Sequence, residues 1–343
     1  MTTVPQGLDL TALQRFFDRE VPGAVAPIRA ELLYGGRSNL TYRITDGATA
    51  WVLRRPPLGG LTPSAHDMGR EFRVVRALHS TDVPVAPAVA LCEDPGVLGT
   101  PFSIVGHVAG TVVRTREDLE QYSTGQLEAC AYGLVDTMAV LHAVPYRDVG
   151  LADFGRPEGY LGRQVRRWGD QWSRVATRQL PDVERLHALL EIGVPTESAA
   201  AVVHGDVRVD NAILDPADLS RTRALVDWEM AALGDPLADL ALHLVYRDPR
   251  FEPVLGGSAA SVSDRFPGPD ALAERYARSS GRDLGRLHFY LGLAYLKIAV
   301  IAEGIHARHA RGLTVGEGFE TVGAAVPGLA AAGLSALVHH IPG

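Results

Sequence analysis

Three oxygen-bearing side chains follow two short apolar runs in the second half of the chain. The run 199–203 leads into a turn that holds Asp206 and Asn211. A second run, 224–226, ends at Asp227. A carboxylate can accept the proton of a reacting hydroxyl, and carboxylate and amide oxygens bind hard divalent cations such as Mg²⁺. One aspartate in such a turn is most often a turn or capping residue, but the set of three favours a catalytic and metal-binding loop.

A glycine-rich segment near the N-terminus is the first element that can face a phosphate. Gly35-Gly36-Arg37-Ser38-Asn39 lies between predicted strands at 28–34 and 41–44. Glycines allow a backbone to approach a phosphate closely, because no Cβ intervenes. The side chains of Ser38 and Asn39 and the backbone N–H groups are therefore predicted to face phosphates. The alternative is an ordinary tight hairpin.

A basic residue and an acidic residue follow this hairpin in a suggestive order. The strand 51–54 ends at Arg54, and a predicted helix over 68–79 carries Glu71. Such a pair can position a cation over nucleotide phosphates. The alternative is a surface salt bridge, which contributes little. The chain has a single lysine, Lys297, so Arg54 must take any phosphate contact that usually falls to lysine.

A strand over 100–108 ends in small residues. The backbone of Gly106, His107 and Val108 is predicted to meet an adenine edge at a hinge, although an ordinary strand and turn would show the same pattern. After residue 116 the apolar periodicity becomes helical, which indicates an α+β protein. The predicted helices cover 8–20, 68–79, 123–143, 158–178, 183–192, 270–280, 284–308 and 317–337. A further helix is predicted to start at Pro236, with Asp235 as its N-cap.

Composition and charge narrow the class of protein. The 343 residues carry a net charge of −7, which does not favour a nucleic-acid partner. The two cysteines and the absence of a secretory pattern at the N-terminus predict reduced thiols and a cytoplasmic location. The apolar window 291–302 is too short to span a membrane, and the window 321–338 is interrupted by Pro327, so no membrane partner is expected.

The order of these features resembles the aminoglycoside phosphotransferase and choline-kinase-like family, relatives of protein kinases. His-Gly-Asp-x4-Asn at 204–211 and Asp-Trp-Glu at 227–229 match that family's phosphotransfer and metal motifs. The resemblance implies a two-lobed protein-kinase-like fold. It divides the chain into an N-terminal nucleotide-binding lobe with a small antiparallel β-sheet (1–105), a hinge (106–110), and a mainly helical C-terminal lobe with the catalytic loop and substrate site (111–343).

The same resemblance implies roles for the site residues, with ATP and Mg²⁺ as cofactors. Asp206 accepts the proton of the substrate hydroxyl or orients that hydroxyl. Asn211 and Asp227 hold Mg²⁺. Arg54 contacts the phosphates, and Glu71 orients Arg54. His204 is expected to brace the catalytic loop, and Asp239 to hydrogen-bond the backbone of that loop.

Four segments resemble one branch of the family more closely, the kinase-like domain of acyl-CoA dehydrogenase family proteins: 35–39, 52–57, 70–74 and 163–168. The branch implies a small-molecule kinase that moves the γ-phosphate of ATP to a hydroxyl, with a hydroxyacyl-CoA-like or other anionic acceptor. The alternatives are an antibiotic (aminoglycoside or macrolide) phosphotransferase and a nucleotide-binding regulatory module without turnover.

The predicted helix 158–178 supplies an independent clue to the acceptor. Its arginines at 163, 167, 174 and 178 fall on a common side. Such a face favours an anionic substrate over a polycationic aminoglycoside, unless it is simply a solvated basic face. The sequence leaves the acceptor, the choice between ATP and GTP, and the oligomeric state open.

Overall fold

The computed structural model describes residues 5–25, 27–34, 39–58, 67–255, 258–314 and 318–338. Its contacts divide the chain into two compact units. The first is Met1–Ala109 with Ala224–Glu229, and the second is Gly110–Arg223 with Met230–Gly343. The segment Ala224–Glu229 therefore groups with the first unit, whereas the predicted division kept it with residues 111–343.

The first unit contains a five-stranded antiparallel sheet in the order β1-β2-β3-β5-β4. Its strands are β1 (Arg29–Tyr34), β2 (Leu40–Thr45), β3 (Ala50–Arg55), β4 (Ala88–Cys92) and β5 (Phe102–Gly106). Alternate residues of β2 and β3 are buried, among them Tyr42, Ile44, Trp51 and Leu53. This alternation follows from successive side chains pointing to opposite faces of a strand.

Two helices of 11 residues and a short one, α3 (Pro95–Leu98), complete the first unit. Helix α1 (Leu10–Glu20) begins at Asp9, whose carboxylate accepts the N–H groups of the first turn. Its buried Phe16 and Phe17 lie edge-on to Phe102 and Trp51, with ring centroids 5.0 and 5.3 Å apart. Helix α2 (Met68–Leu78) buries Glu71 on the same face as Val74 and Val75.

The second unit is mainly helical. Its helices are α4 (Thr124–Ala143), α5 (Tyr160–Val175), α6 (Pro181–Ile192), α7 (Pro236–Val245), α8 (Glu252–Leu255), α9 (Pro269–Ser280), α10 (Leu287–Ala310) and α11 (Val322–Val338). Strand β6 (Ala201–Val203) pairs antiparallel with β9 (Ala232–Gly234), and β7 (Ala212–Asp215) pairs with β8 (Asp218–Leu225). The α+β class is therefore confirmed.

Three predicted boundaries were wrong. Helix α5 ends at Val175, so Arg178 lies beyond it. The strand expected at 83–91 begins only at Ala88. Helix α11 begins at Val322 and continues through Pro327, which the sequence indicated as an interruption.

Helix α10 spans 24 residues, twice the length of the apolar window 291–302 from which no membrane span is predicted. By length and composition alone it passes as a candidate membrane span. However, 67% of its most apolar window is buried inside the protein, as in the core helix of a folded domain. Its contacts with α5, α7 and α11 explain this burial.

Candidate functional site

Arg54 links two carboxylates in the first unit. One guanidinium nitrogen, NH1, donates to Glu71 on α2. The other, NH2, donates to Oδ1 of Asp227 at 2.9 Å. The planar fork of arginine can serve both carboxylates at once, whereas a lysine would supply a point charge. The predicted Arg54–Glu71 pair is present, and Asp227 joins it.

Burial strengthens this cluster electrostatically. The side chains of Arg54 and Glu71 are only 15% and 6% exposed. Burial raises the pKa of Glu71, against the opposing effect of the Arg54 charge. Burial alone would lower the pKa of Arg54, but Glu71, Asp227 and Glu229 outweigh it, so that pKa lies above its usual value. Arg54 therefore remains a cation between two acids.

Asp227 has an unusual backbone. Its φ is 69°, and it is the sole non-glycine residue with a positive φ in the described part of the chain. The segment before it is fixed, because the N–H of Leu225 donates to the carbonyl of Pro84 at 2.8 Å and the Trp228 indole donates to the Leu225 carbonyl at 3.0 Å. Aspartate tolerates this left-handed conformation better than most residues. Local strain at a candidate metal ligand is typical of functional sites.

The predicted phosphate-facing residues behave differently from one another. Ser38, with the glycines before it, lies outside the described residues. Asn39 is only 1% exposed, and its Nδ2 donates to Oε2 of Glu229 at 3.4 Å. Its Oδ1 is buried, and no described residue donates a hydrogen bond to it. Asn39 is thus part of the same acidic and basic cluster as Arg54.

The predicted hinge residues begin at Gly106, the last residue of β5. The N–H of Gly106 donates to the carbonyl of Pro87 at 2.7 Å, and the N–H of His107 donates to the carbonyl of Ala50 at 3.1 Å. These two donors are therefore used within the protein. An adenine at this strand end would have to use backbone carbonyls or the N–H of Val108.

In the second unit, β6 leads directly into the loop 204–211, the candidate catalytic loop. Gly205 has a φ of +82°, and a Cβ there would lie 2.8 Å from the carbonyl oxygen of Met230, so glycine is required. Asp239 accepts the N–H groups of His204 and Gly205 at 2.6 and 2.7 Å, as predicted. His142 also donates to Asp239, at 3.2 Å. His142 is thus a packed histidine that braces the loop.

Asp239 stays ionised in its buried position. Burial alone would raise the pKa of Asp239, but the hydrogen bond and charge of His142 and the N–H of His204 outweigh it. The pKa of Asp239 therefore lies below its usual value. This carboxylate can hold the loop backbone over the ordinary pH range.

Asp206 is held by two hydrogen-bond donors and one ion pair. The Tyr246 hydroxyl donates to its Oδ1 at 2.5 Å, and Arg208 Nε lies 3.4 Å from the same oxygen. The Asn211 Nδ2 donates to Oδ2 at 2.9 Å and to the Asp206 carbonyl at 2.9 Å. The Asp206 side chain remains 22% exposed, so a substrate hydroxyl can reach the carboxylate.

Each of the two predicted metal ligands, Asn211 and Asp227, keeps an oxygen of the kind that magnesium prefers. Because Asn211 Nδ2 is used on Asp206, its Oδ1 remains as the group for a cation. Asp227 similarly uses Oδ1 for Arg54 and keeps Oδ2. No three His, Cys, Asp or Glu side chains among the described residues can hold a metal by themselves. Mg²⁺ commonly uses only one or two protein ligands together with phosphates and water.

Three residues of this region were missed in the sequence. Arg208 stands two positions after Asp206, and that proximity was an available signal. Tyr246 is 40 positions from Asp206, and no pattern linked the two. Lys297 was noticed only as the single lysine, and its Nζ donates to the carbonyl of Gly205 at 3.1 Å.

The basic face predicted for helix 158–178 is reduced in the structure. Arg163 donates to the backbone carbonyls of Arg156 and Glu158. Arg178 lies beyond α5 and binds the buried Glu303 at 3.1 Å. Two of the four arginines of the predicted basic face thus have structural partners. The other two, Arg167 and Arg174, are exposed on the helix.

Known proteins match the chain over most of its length. Residues 29–290 match the family model described as "Phosphotransferase enzyme family". Acyl-CoA dehydrogenase family member 11 of Rattus norvegicus is 33% identical over 89% of this chain and 40% of its own length. The probable acyl-CoA dehydrogenase IBR3 of Arabidopsis thaliana is 30% identical over 80% of this chain and 35% of its own length. The chain thus spans well under half the length of these relatives.

Solved structures agree. A Ralstonia eutropha JMP134 protein, provisionally described as an aminoglycoside phosphotransferase, is 30% identical over 96% of this chain and 98% of its own, with a TM-score of 0.82. The aminoglycoside phosphotransferase APH(4)-Ia is 18% identical over 95% of this chain and 99% of its own, with a TM-score of 0.62, and shows the kinase-like fold. The predicted family and fold are confirmed, and the chain belongs to the phosphotransferase enzyme family.

Proposed function

We propose that this phosphotransferase is a small-molecule kinase that moves the γ-phosphate of ATP to an acceptor hydroxyl. The observation that carries the proposal is the state of Asp206. Its carboxylate is oriented by Tyr246, Asn211 and Arg208, yet it remains accessible. A fixed and accessible carboxylate is what a hydroxyl needs for orientation and loss of its proton.

The reaction assigns a balanced role to each group. The acceptor oxygen forms a bond to the γ-phosphorus, and its proton passes to Asp206. The bond between the γ-phosphorus and the bridging oxygen breaks, and ADP leaves. Asn211 Oδ1 and Asp227 Oδ2 are the oxygens that we assign to Mg²⁺, which when bound neutralises phosphate charge. Arg54, oriented by Glu71, contributes positive charge toward the phosphates.

We assign a hydroxyacyl-CoA-like or other anionic acceptor to the site. The relatives named as acyl-CoA dehydrogenase family members support this, since two of them are 30% and 33% identical to the chain. Exposed Arg167 and Arg174 on α5 would attract an anion. The competing candidate is an antibiotic phosphotransferase, which the provisional description of the Ralstonia eutropha protein favours.

The decisive experiment compares acceptor classes. The pure protein with Mg-ATP is offered hydroxyacyl-CoAs, choline, sugars, macrolides and aminoglycosides, and ADP formation is followed. Turnover of hydroxyacyl compounds supports the proposed acceptor. Turnover of kanamycin-like compounds alone would reject it.

Asp206→Asn tests the kinase assignment itself. The variant should lose phosphotransfer by about 100-fold or more while it still binds nucleotide, because only the transition state loses its base. Asp215→Asn is the matched control, since Asp215 pairs with Arg223 on the β7–β8 hairpin. Tight nucleotide binding without turnover of any acceptor would instead support the regulatory module.

A further inference from the structure

Lys297 occupies a position that phosphoryl transfer by Asp206, Asn211 and Asp227 does not explain. It is the single lysine of the chain and lies on α10. Its Nζ donates to the carbonyl of Gly205 at 3.1 Å, directly before the candidate catalytic residue Asp206. The same ammonium lies 5.9 Å from the centre of the Trp168 ring on α5.

Opposing charges act on this ammonium. Burial lowers the pKa of Lys297, and the positive charge of Arg167 works in the same direction. The carboxylates of Asp206 and Asp239 work in the opposite direction. Asp239 already serves His142 and the loop backbone, and Asp206 has two hydrogen-bond donors and the Arg208 ion pair. Neither carboxylate is therefore reserved for Lys297.

The ammonium has unused hydrogen-bonding capacity. It carries three N–H donors, and within the described ranges its one hydrogen-bond partner is the carbonyl of Gly205. Lys297 is half-buried and not fully enclosed. Bracing the loop does not require this cation, because Asp239 already holds the N–H groups of His204 and Gly205. A half-buried cation with spare donors is most stable when an anion pairs with it.

We propose that Lys297 binds an anionic oxygen group of the acceptor beside the hydroxyl that Asp206 deprotonates. The inference rests on the proposed kinase function and, of the acceptors named there, selects the free anionic class over a hydroxyacyl thioester. That class is a hydroxy acid, or an analogue with its anionic group within a few bonds of the hydroxyl. The spacing follows from the chain, since Lys297 binds the carbonyl that is covalently joined to Asp206. Helices α5 and α10, which flank this ammonium, carry none of the residues assigned to the nucleotide or metal.

The kinetic test uses 3-hydroxybutyrate and its neutral amide as paired acceptors. In Lys297→Met, the KM for the acid should rise about 10- to 100-fold, the effect of losing a hydrogen bond to a charged group. The KM for the amide and both kcat values should change by no more than about threefold. Lys297→Arg should recover part of the affinity for the acid, because it restores the charge.

Arg166→Met is the matched control, since it removes one positive charge from an exposed position next to Arg167 on α5. It should leave the ratio of the acid's KM to the amide's KM unchanged. An equal loss with both acceptors in Lys297→Met would overturn the proposal, because it would indicate a structural role or a contact with the transferred phosphoryl group. An unchanged KM for the acid would overturn it as well.

A second measurement does not depend on turnover or on a variant. Because the chain has one lysine, acetylation by N-hydroxysuccinimidyl acetate at Lys297 can be read from a single peptide by mass spectrometry. Saturating 3-hydroxybutyrate should slow this acetylation about tenfold, the effect of about 1.4 kcal/mol of pairing, and the amide should not. Equal protection by both compounds, no protection by the acid, or protection by Mg-ATP alone would refute the proposal. If the enzyme phosphorylates nothing, the kinase assignment fails while this measurement still tests the anion site.

Discussion

Tyr246→Phe removes one atom from the group that holds Asp206. The ring would keep its packing, since it lies 4.6 Å from the Phe251 ring and only 4% of the residue is exposed. The lost hydroxyl is the donor 2.5 Å from Asp206 Oδ1. Burial raises the pKa of Tyr246 well above its usual value, with the Asp206 charge acting in the same direction. The hydroxyl is therefore a proton donor at every practical pH.

The expected loss of rate follows from this geometry. A hydrogen bond to a charged group contributes about 1.5–3 kcal/mol. The Asn211 hydrogen bond and the Arg208 ion pair remain on Asp206 after the substitution, so we expect the lower end of that range. A loss of about 1.4 kcal/mol corresponds to a tenfold lower kcat. The KM for ATP should stay unchanged, because the hydroxyl orients the base and not the nucleotide.

Tyr290→Phe is the matched control. Tyr290 is 1% exposed and donates to the Asp235 carboxylate at 2.9 Å, so it loses a comparable buried hydrogen bond. Both variants should lose about 1.5–3 kcal/mol of unfolding free energy in urea titrations, because each loses a hydrogen bond to a carboxylate. Only Tyr246→Phe should lose rate in steady-state kinetics. Equal losses of kcat in the two variants, or none in Tyr246→Phe, would refute the positioning role.

Three further predictions concern the metal ligand, a buried histidine and a close helix contact. Asp227→Asn should fold normally, since asparagine also tolerates a φ of 69°, but should lose about 100-fold or more of Mg²⁺-dependent kcat; a Mg²⁺ titration of the rate checks this. Burial keeps the pKa of His243 below its usual value. The unfolded chain therefore gains this proton at a higher pH than the folded chain, and stability falls as the pH drops below about 6.5. His243→Asn should flatten that fall between about pH 6.5 and 5 in urea titrations, and an unchanged slope would contradict the assignment. Gly133→Ala places a Cβ 2.0 Å from the Ser220 carbonyl, whereas a Cβ at Gly125 on the same helix meets nothing within 4 Å. Thermal unfolding should show Gly133→Ala destabilised by about 1–3 kcal/mol or more and Gly125→Ala unchanged or slightly stabilised.

Local features were predictable wherever neighbours in the chain decide them. The strands at 41–44 and 51–54 were predicted and are present as parts of β2 and β3, and the predicted cap at Asp235 marks a helix start that the structure contains. The Arg54–Glu71 pair was predicted because a basic residue ends one strand and an acidic residue lies on the helix that follows it. Such features depend on residues two to four positions apart, or on adjacent elements, and these patterns are written directly in the sequence.

Features that depend on packing were not predictable in this way. The basic face of α5 was overestimated, because the carbonyls that bind Arg163 and the carboxylate that binds Arg178 become partners only after folding. The strand expected at 83–91 also began late, at Ala88. Apolar periodicity indicates which face is buried, but it does not report which polar groups meet across a fold.

The sequence by itself determined the family, the two classes of element, and the oxygen-bearing side chains at 206, 211 and 227. These follow from residue types at fixed spacings, which do not depend on the rest of the molecule. Only the tertiary structure joined Arg54 to Asp227 across 173 positions and Tyr246 to Asp206 across 40. It also placed Asp227 at a positive φ and brought Lys297 to the carbonyl of Gly205. The physical reason is that burial and packing, which act between distant segments, select the partner of each polar group and the backbone that carries it.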